Sequence, residues 1–155
     1  MKRKFPTRPL VGVGAVILRG DSVLLIQRGT PPLMGEWSLP GGVVEVGETL
    51  QEAVRREIKE ETNLEIRVGP LVELFERIQR DGIRVAYHYI IADYLSWRIR
   101  GRLKASSDVR AARFVPRAEL ARYHLTETAV RVIARGFEMA KENAVAQETR
   151  VSQRK

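Results

Sequence analysis

Residues Thr49 to Asn63 form the stretch that most constrains this chain. Thr49 with Glu52 makes a capping box, and Leu50, Val54 and Ile58 recur at i+4. Asn63 tolerates the left-handed backbone used just past a helix end, so the spacing predicts a helix between them. That helix holds an anomaly. Glu57, Glu60 and Glu61 set three carboxylates at i, i+3 and i+4, where like charges repel. At about 100° per residue, with Leu50 at zero, the apolar sector contains Leu50, Ala53, Val54 and Ile58, and Glu57 and Glu61 fall inside it. Arg56 and Glu60 lie at its border. A charge run on a helix is ordinarily a solvated face. Here Arg55 and Lys59 project from the far side, and Arg56 alone cannot neutralise three anions, while an unpaired buried charge is costly. Hard divalent cations take oxygen ligands, and carboxylates one helical turn apart converge on a single site. No histidine or cysteine stands near enough to suggest zinc.

The rest of the chain limits what such a helix can serve. Its 155 residues, 44% of them apolar, suffice for one globular domain with a sizeable core. The net charge of +8 is concentrated at the ends: Lys2, Arg3, Lys4 and Arg8 carry +4, and the stretch from Lys141 onward carries +2. The excess therefore reads as solvated tails rather than as a nucleic-acid surface, and a nucleic-acid partner is not expected. Absence of cysteine excludes disulfides, thiol catalysis and thiolate metal sites. Basic "MKRK" before apolar "LVGVGAVIL" superficially resembles a secretory signal, but the run holds two glycines, follows two prolines and leads into "RGD" without a small-x-small cleavage site. It is read as a buried strand, with no membrane partner and a cytoplasmic location expected.

Along the chain, 11–18 and "SVLLIQR" are predicted to pair as a hairpin, followed by the irregular Gly/Pro-rich loop "GTPPLMGEWSLPGG" and a short strand at Val43–Val44. After the helix, "LEIRV", "LVELFERI" and "RVAYHYIIADYL" read as separate strands, with a turn at "QRDG". "WRIRGRLKASSD" reads as an exposed loop, "ARFV" as a strand, and "PRAELARY" as a helix with proline in its first turn. "LTETAVRVIARGFEMAKE" reads as an amphipathic helix capped by Thr126. The organisation expected is a basic segment 1–9, a domain 10–142 and a polar, disordered tail 143–155. Alternating strands and helices suggest an α/β sandwich, helices on two sides of a mixed sheet.

From Gly42 the spacing runs five residues to Glu48, seven more, then Arg56-Glu57-Ile58-Lys59-Glu60-Glu61-Thr62-Asn63-Leu64. This stretch resembles the Nudix box of Nudix hydrolases, Gly-x5-Glu-x7-Arg-Glu-aliphatic-x-Glu-Glu-x-Gly-aliphatic, departing only where Asn63 replaces the last glycine. The flanks "LLIQR" and "GEWSLPGG" are also similar to the family. The resemblance implies a Nudix-type α/β/α sandwich and hydrolysis of a nucleoside diphosphate linked to another moiety. Carried over by position, it implies Mg²⁺, with Mn²⁺ as the alternative, held by Glu57, Glu61, Glu60 and the carbonyl of Gly41. Arg56 would orient the carboxylates, and Glu48 would tie the loop to the helix. The general base is left between a box glutamate, Glu57 or Glu60, and Asp108 on a later loop.

Substrate contacts expected are Arg28 on a phosphate and Trp37, Phe75 and Tyr87 as a stacking surface for a base. Three activities stay open: an ADP-ribose-like substrate, favoured on overall resemblance; a MutT-type triphosphate pyrophosphohydrolase acting on 8-oxo-dGTP-like nucleotides; and a non-catalytic nucleotide-binding module. Some family members mark their substrate by a proline or tyrosine about sixteen residues past the box. This chain has Arg80 there, which matches neither. Similar enzymes are often dimers, so a homodimer is the assembly implied.

Overall fold

The computed structural model describes residues 2–31 and 33–154; Met1 of the basic segment, Pro32 of the glycine-proline loop and Lys155 of the tail lie outside the described residues. Seven strands and two helices follow in the order β1 (Leu10–Arg19), β2 (Ser22–Arg28), β3 (Trp37–Ser38), β4 (Gly41–Val43), α1 (Leu50–Thr62), β5 (Glu65–Asp81), β6 (Arg84–Arg100), β7 (Val109–Pro116), a 3₁₀ turn (Arg117–Tyr123) and α2 (Glu127–Ser152). The sheet is mixed and mostly antiparallel. Its order is β3-β2-β1-β6-β5, with β4 added to β1 and β7 to β2, and only β1 and β6 run parallel.

Alternation along the strands explains why both faces need cover. On one face Val13, Ala15, Ile17 and Leu24 meet Ala53, Val54 and Ile58 of α1. On the other, Val16, Val23 and Leu25 meet Val132 and Ile133 of α2. Each buried Val, Leu or Ile contributes about 1.5–3 kcal/mol by leaving water, which fixes the strand register against a one-residue slip. Helix α2 comes so near β1 that a Cβ on Gly136 would lie 2.7 Å from Val16 Cγ1. The α/β/α sandwich expected from the sequence is the architecture found. Among the described residues no helix is long and apolar enough to cross a membrane.

Helix α1 is delimited as its sequence requires. Thr49 Oγ1 accepts from the Glu52 N–H, Glu52 accepts from the Thr49 N–H, and Asn63 sits at φ 65° with its N–H bonded to the Lys59 carbonyl. Thr126 caps α2 by accepting from the Ala129 N–H.

Four local readings are corrected. The two strands expected from "LEIRV" and "LVELFERI" are one strand, β5, because pairing to β6 continues across a bulge at Val68–Leu71 that absorbs Gly69 and Pro70. Strand β6 runs on to Arg100, opposite Glu65, so the exposed loop starts only at Gly101. The tail expected to be disordered from Asn143 continues α2 to Ser152, since Ala144, Ala146, Gln147 and Glu148 favour helix even where no apolar face guides it. The basic N-terminal segment is not a free tail either: the Phe5 N–H donates to the Ala86 carbonyl at 2.8 Å.

Candidate active site

The site is built where α1 meets the short strand β4. A Cβ on Gly41 would lie 2.0 Å from the Val13 carbonyl oxygen, and one on Gly42 would lie 2.2 Å from the Glu57 carboxyl carbon. Only glycine lets this backbone pass between β1 and the helix. The Gly41 N–H donates to Glu61 Oε2 at 2.9 Å, so both carboxylates of the apolar sector reach the glycine pair.

Arg56 is the hub of the loop. Its Nε and one terminal nitrogen hold both oxygens of Glu48 at 2.5 and 2.9 Å, and that second nitrogen also donates to the Val43 carbonyl at 3.0 Å. The other terminal nitrogen donates to Glu57 at 2.8 Å and to Glu60 at 3.3 Å. Glu48 further accepts from the Glu45 N–H. The Arg56 guanidinium, with that N–H, holds the Glu48 carboxyl down at about 2. Glu48 thus fastens β4 and its loop to α1.

Three box carboxylates have three different environments. Glu57 has only 14% of its side chain exposed, and burial pushes it up despite Arg56. Glu61 is deeper, and burial pushes it up to about 8, against the pull of the Gly41 N–H. Glu60 faces solvent, with 59% of its side chain exposed. Among the described residues no three acids or histidines are gathered into a ready-made cation cage, because Glu57 is turned to Arg56 and Glu61 to Gly41. The donor chemistry nevertheless fits a hard divalent cation. Two buried carboxylates one helical turn apart lack the positive charge that would let both ionise, and every oxygen around them is a hard ligand.

Beyond Gly41–Val43 opens a cavity of about 250 Å³, floored by Gly12–Gly14, Ile91 and Asp93 and walled by Phe75, Arg77, Tyr87 and Tyr89. Of the expected substrate contacts, Arg28, Trp37, Phe75 and Tyr87 all line it. Arg28 has a buried Nε without a hydrogen-bond partner among the described residues. Trp37 is partly engaged already, edge-on to Tyr123 at 4.9 Å with the Arg113 guanidinium 4.8 Å from its ring. Tyr87 lies parallel to Tyr89 at 6.4 Å. Asp108 is not brought into the cavity; it sits in the loop before β7, where its carbonyl accepts from the Gly29 N–H at 3.1 Å.

Comparison with known proteins bears on this arrangement at one decisive point: the NUDIX domain family profile matches residues 8–136. The chain belongs to the Nudix family. An "ADP-ribose pyrophosphatase" of Methanocaldococcus jannaschii is 40% identical over 113 residues, 73% of this chain and 65% of that relative, so the Nudix chain described here spans less than two thirds of its relative's length. A NUDIX hydrolase from Nitrosomonas europaea superposes with a TM-score of 0.73 at 21% identity, over 86% of this chain and 91% of its own. The NUDIX domain of Shewanella oneidensis NrtR, solved with ADP ribose, superposes at 0.69 and 22% identity, over 87% and 90%. At such identities the two structures establish the shared Nudix fold.

Sequence reasoning missed Asp93, Arg77 and Tyr89 in the cavity, and Arg3 at its rim. The signal for Asp93 was present. Tyr87, Tyr89, Ile91 and Asp93 alternate along β6, so a carboxyl lies in line with apolar and aromatic positions, the same anomaly that marks α1.

Proposed function

We propose that this Nudix domain hydrolyses the diphosphate of a nucleoside diphosphate linked to a second moiety, with an ADP-ribose-like molecule as substrate. The observation that carries the reading is the junction of two features at Gly41–Gly42. A cavity with aromatic walls and an arginine whose Nε has no partner among the described residues ends at these glycines, and Glu57 and Glu61 reach them from α1. The 40% identity to an ADP-ribose pyrophosphatase supports the substrate class.

In this reading Glu57 and Glu61, with Glu60 and the Gly41 carbonyl, hold Mg²⁺, or Mn²⁺ in its place. Held there, such a cation would offset the charge of the diphosphate and lower the pKa of a water beside it. Arg56 keeps the Glu57 carboxylate turned along the helix and keeps the loop closed on it. Arg28 receives a phosphate oxygen, its buried Nε supplying a donor that has no partner among the described residues. Phe75, Tyr87 and Tyr89 give the base an apolar face. Glu60, exposed on α1 beside Glu57 and bonded to the same Arg56 nitrogen, is the group taken to accept a proton from water rather than Asp108, which sits in the loop before β7. The setting proposed is cytoplasmic, and the assembly a homodimer.

A panel of ADP-ribose, NADH, dinucleoside polyphosphates, GDP-mannose, dGTP and 8-oxo-dGTP, assayed with Mg²⁺ for the products released, tests the substrate class. AMP and ribose 5-phosphate from ADP-ribose is the expected result. Preference for 8-oxo-dGTP with release of pyrophosphate would assign the MutT-type reaction instead. Turnover in excess chelator equal to that in Mg²⁺ would refute the metal role.

A further inference from the structure

We infer that the basic N-terminal segment is a working part of the substrate site: Arg3 completes, with Arg28 and Arg77, a three-guanidinium clamp for the substrate's diphosphate. This deepens the proposed function and rests on a diphosphate substrate. Arg3, Arg28 and Arg77 come from the N-terminal segment, the end of β2 and the middle of β5, yet all line one cavity. Arg56, Arg100, Arg131 and Arg135 each have a carboxylate within 4 Å; among the described residues these three have none. No aromatic face stacks on them either, whereas Arg19, Arg67, Arg84, Arg113 and Arg117 each have one. Glu36 and Glu76 line the same cavity but pair with none of the three among the described residues, so the gathered guanidiniums repel one another, and Arg28 adds to the burial that lowers the Arg77 pKa against the pull of Glu36. An anion with several oxygens relieves that repulsion, and the planar fork of arginine suits phosphoryl oxygens.

The segment is held so that Arg3 reaches the cavity. Phe5 occupies the left-handed region at φ 53°, which is costly for a side chain of this kind. It is compensated by the bond from its N–H to Ala86 and by the Arg84 guanidinium 3.8 Å from its ring centroid, with the Lys4 ammonium 5.3 Å away. Ala86 directly precedes Tyr87 of the cavity wall, so the anchor is built on the wall itself. From there Arg3 reaches the cavity, where its charge acts on Tyr89. The family match begins at residue 8, so Arg3 and Phe5 lie outside it, while the Ala86 and Arg84 that hold Phe5 lie within it.

Binding of inorganic pyrophosphate, measured by calorimetry in chelator, reads the clamp without reference to metal or leaving group. Arg3→Gln is expected to weaken it about tenfold, the range of one charge-assisted hydrogen bond, with Arg3→Lys recovering part of the loss. Phe5→Ala, which leaves Arg3 in place but frees its anchor, is expected to weaken it as well. Arg8→Gln, exposed and outside the cavity, keeps the parent affinity and controls for net charge. On the hydrolysed substrate, Arg3→Gln raises KM by a similar factor at equal melting temperature. Pyrophosphate affinity unchanged in Arg3→Gln, or lowered equally in Arg8→Gln, overturns the clamp. Parent affinity in Phe5→Ala overturns the anchoring. If the parent binds pyrophosphate but leaves ADP-ribose uncleaved, the substrate assignment fails while the clamp stands.

Discussion

Asp93→Asn isolates the effect of a buried acid on the whole fold. Asp93 is 5% exposed on β6, its carboxyl filling the space left by Gly14, where a Cβ would lie 2.3 Å from Oδ1. Burial, reinforced by Glu73 on the neighbouring β5, raises its pKa from 3.8 to about 7. Glu73 itself is occupied by Arg131 of α2 at 2.5 and 3.0 Å, so that guanidinium is committed elsewhere. The folded state thus keeps a proton that the unfolded chain releases near pH 4. The stability this adds is complete below the unfolded value and is lost as pH rises through about 7. At about 1.4 kcal/mol per pH unit, the interval corresponds to roughly 4 kcal/mol. Urea unfolding of parent and Asp93→Asn in chelator, at steps from pH 5 to pH 8.5, measures it. Glu57 and Glu61 titrate in both proteins and cancel in the difference. By pH 5 the parent has already lost part of this, so the variant is expected to exceed it by about 1–2 kcal/mol at pH 5 and by about 4 kcal/mol at pH 8.5, without change in m-value. Parallel pH curves for the two proteins would show that Asp93 ionises freely in the fold and refute the reasoning.

Glu61→Gln is expected to lower turnover by at least about a hundredfold, while the metal-free protein melts no lower than the parent at pH 8, because the amide oxygen can still accept from Gly41 without a buried charge. A stable variant with parental turnover would remove α1 from the chemistry. Gly42→Ala drives a methyl into the Glu57 carboxylate, so turnover is expected to collapse and Mg²⁺ to lose its stabilising effect on melting; parental turnover would show that this close approach is dispensable. Gly136→Ala overpacks against Val16 and is expected to cost about 1–3 kcal/mol in urea unfolding with KM unchanged. A stabilised variant would mean that α2 can move away from β1.

What could be read beforehand was what is written locally. The caps of α1, its apolar stripe and its two misplaced carboxylates depend on residues within one segment, and they appear in the structure as the spacing implies. The cavity is different, because Arg28 of β2 meets residues of β5 and β6 over the glycines of β1, and their registers are set only by pairing. Arg28 and the aromatic residues could be named as candidates from type and place, but Arg77 differs from its charged neighbours on β5 only through which face meets β6. Phe5 carries no local signal, since its N–H bonds a residue 81 positions away. The last turns of α2 were misread for the opposite reason. Propensity without an apolar face is weak evidence, and it was outweighed by the polarity of the stretch.

Gly41 and Gly42 separate the cavity from the carboxylates by the thickness of one peptide backbone. A partition so thin makes its two sides thermodynamically reciprocal. Any occupant of the cavity that shifts the Gly41 N–H changes how firmly Glu61 is held, and any occupant of the carboxylates that draws Glu61 away takes that N–H's partner from it. Whatever factor one ligand imposes on the affinity of the other must be returned unchanged. Loading order therefore leaves the doubly bound state the same, and the 2.9 Å hydrogen bond from the Gly41 N–H to Glu61 is one contact through which the two sides meet.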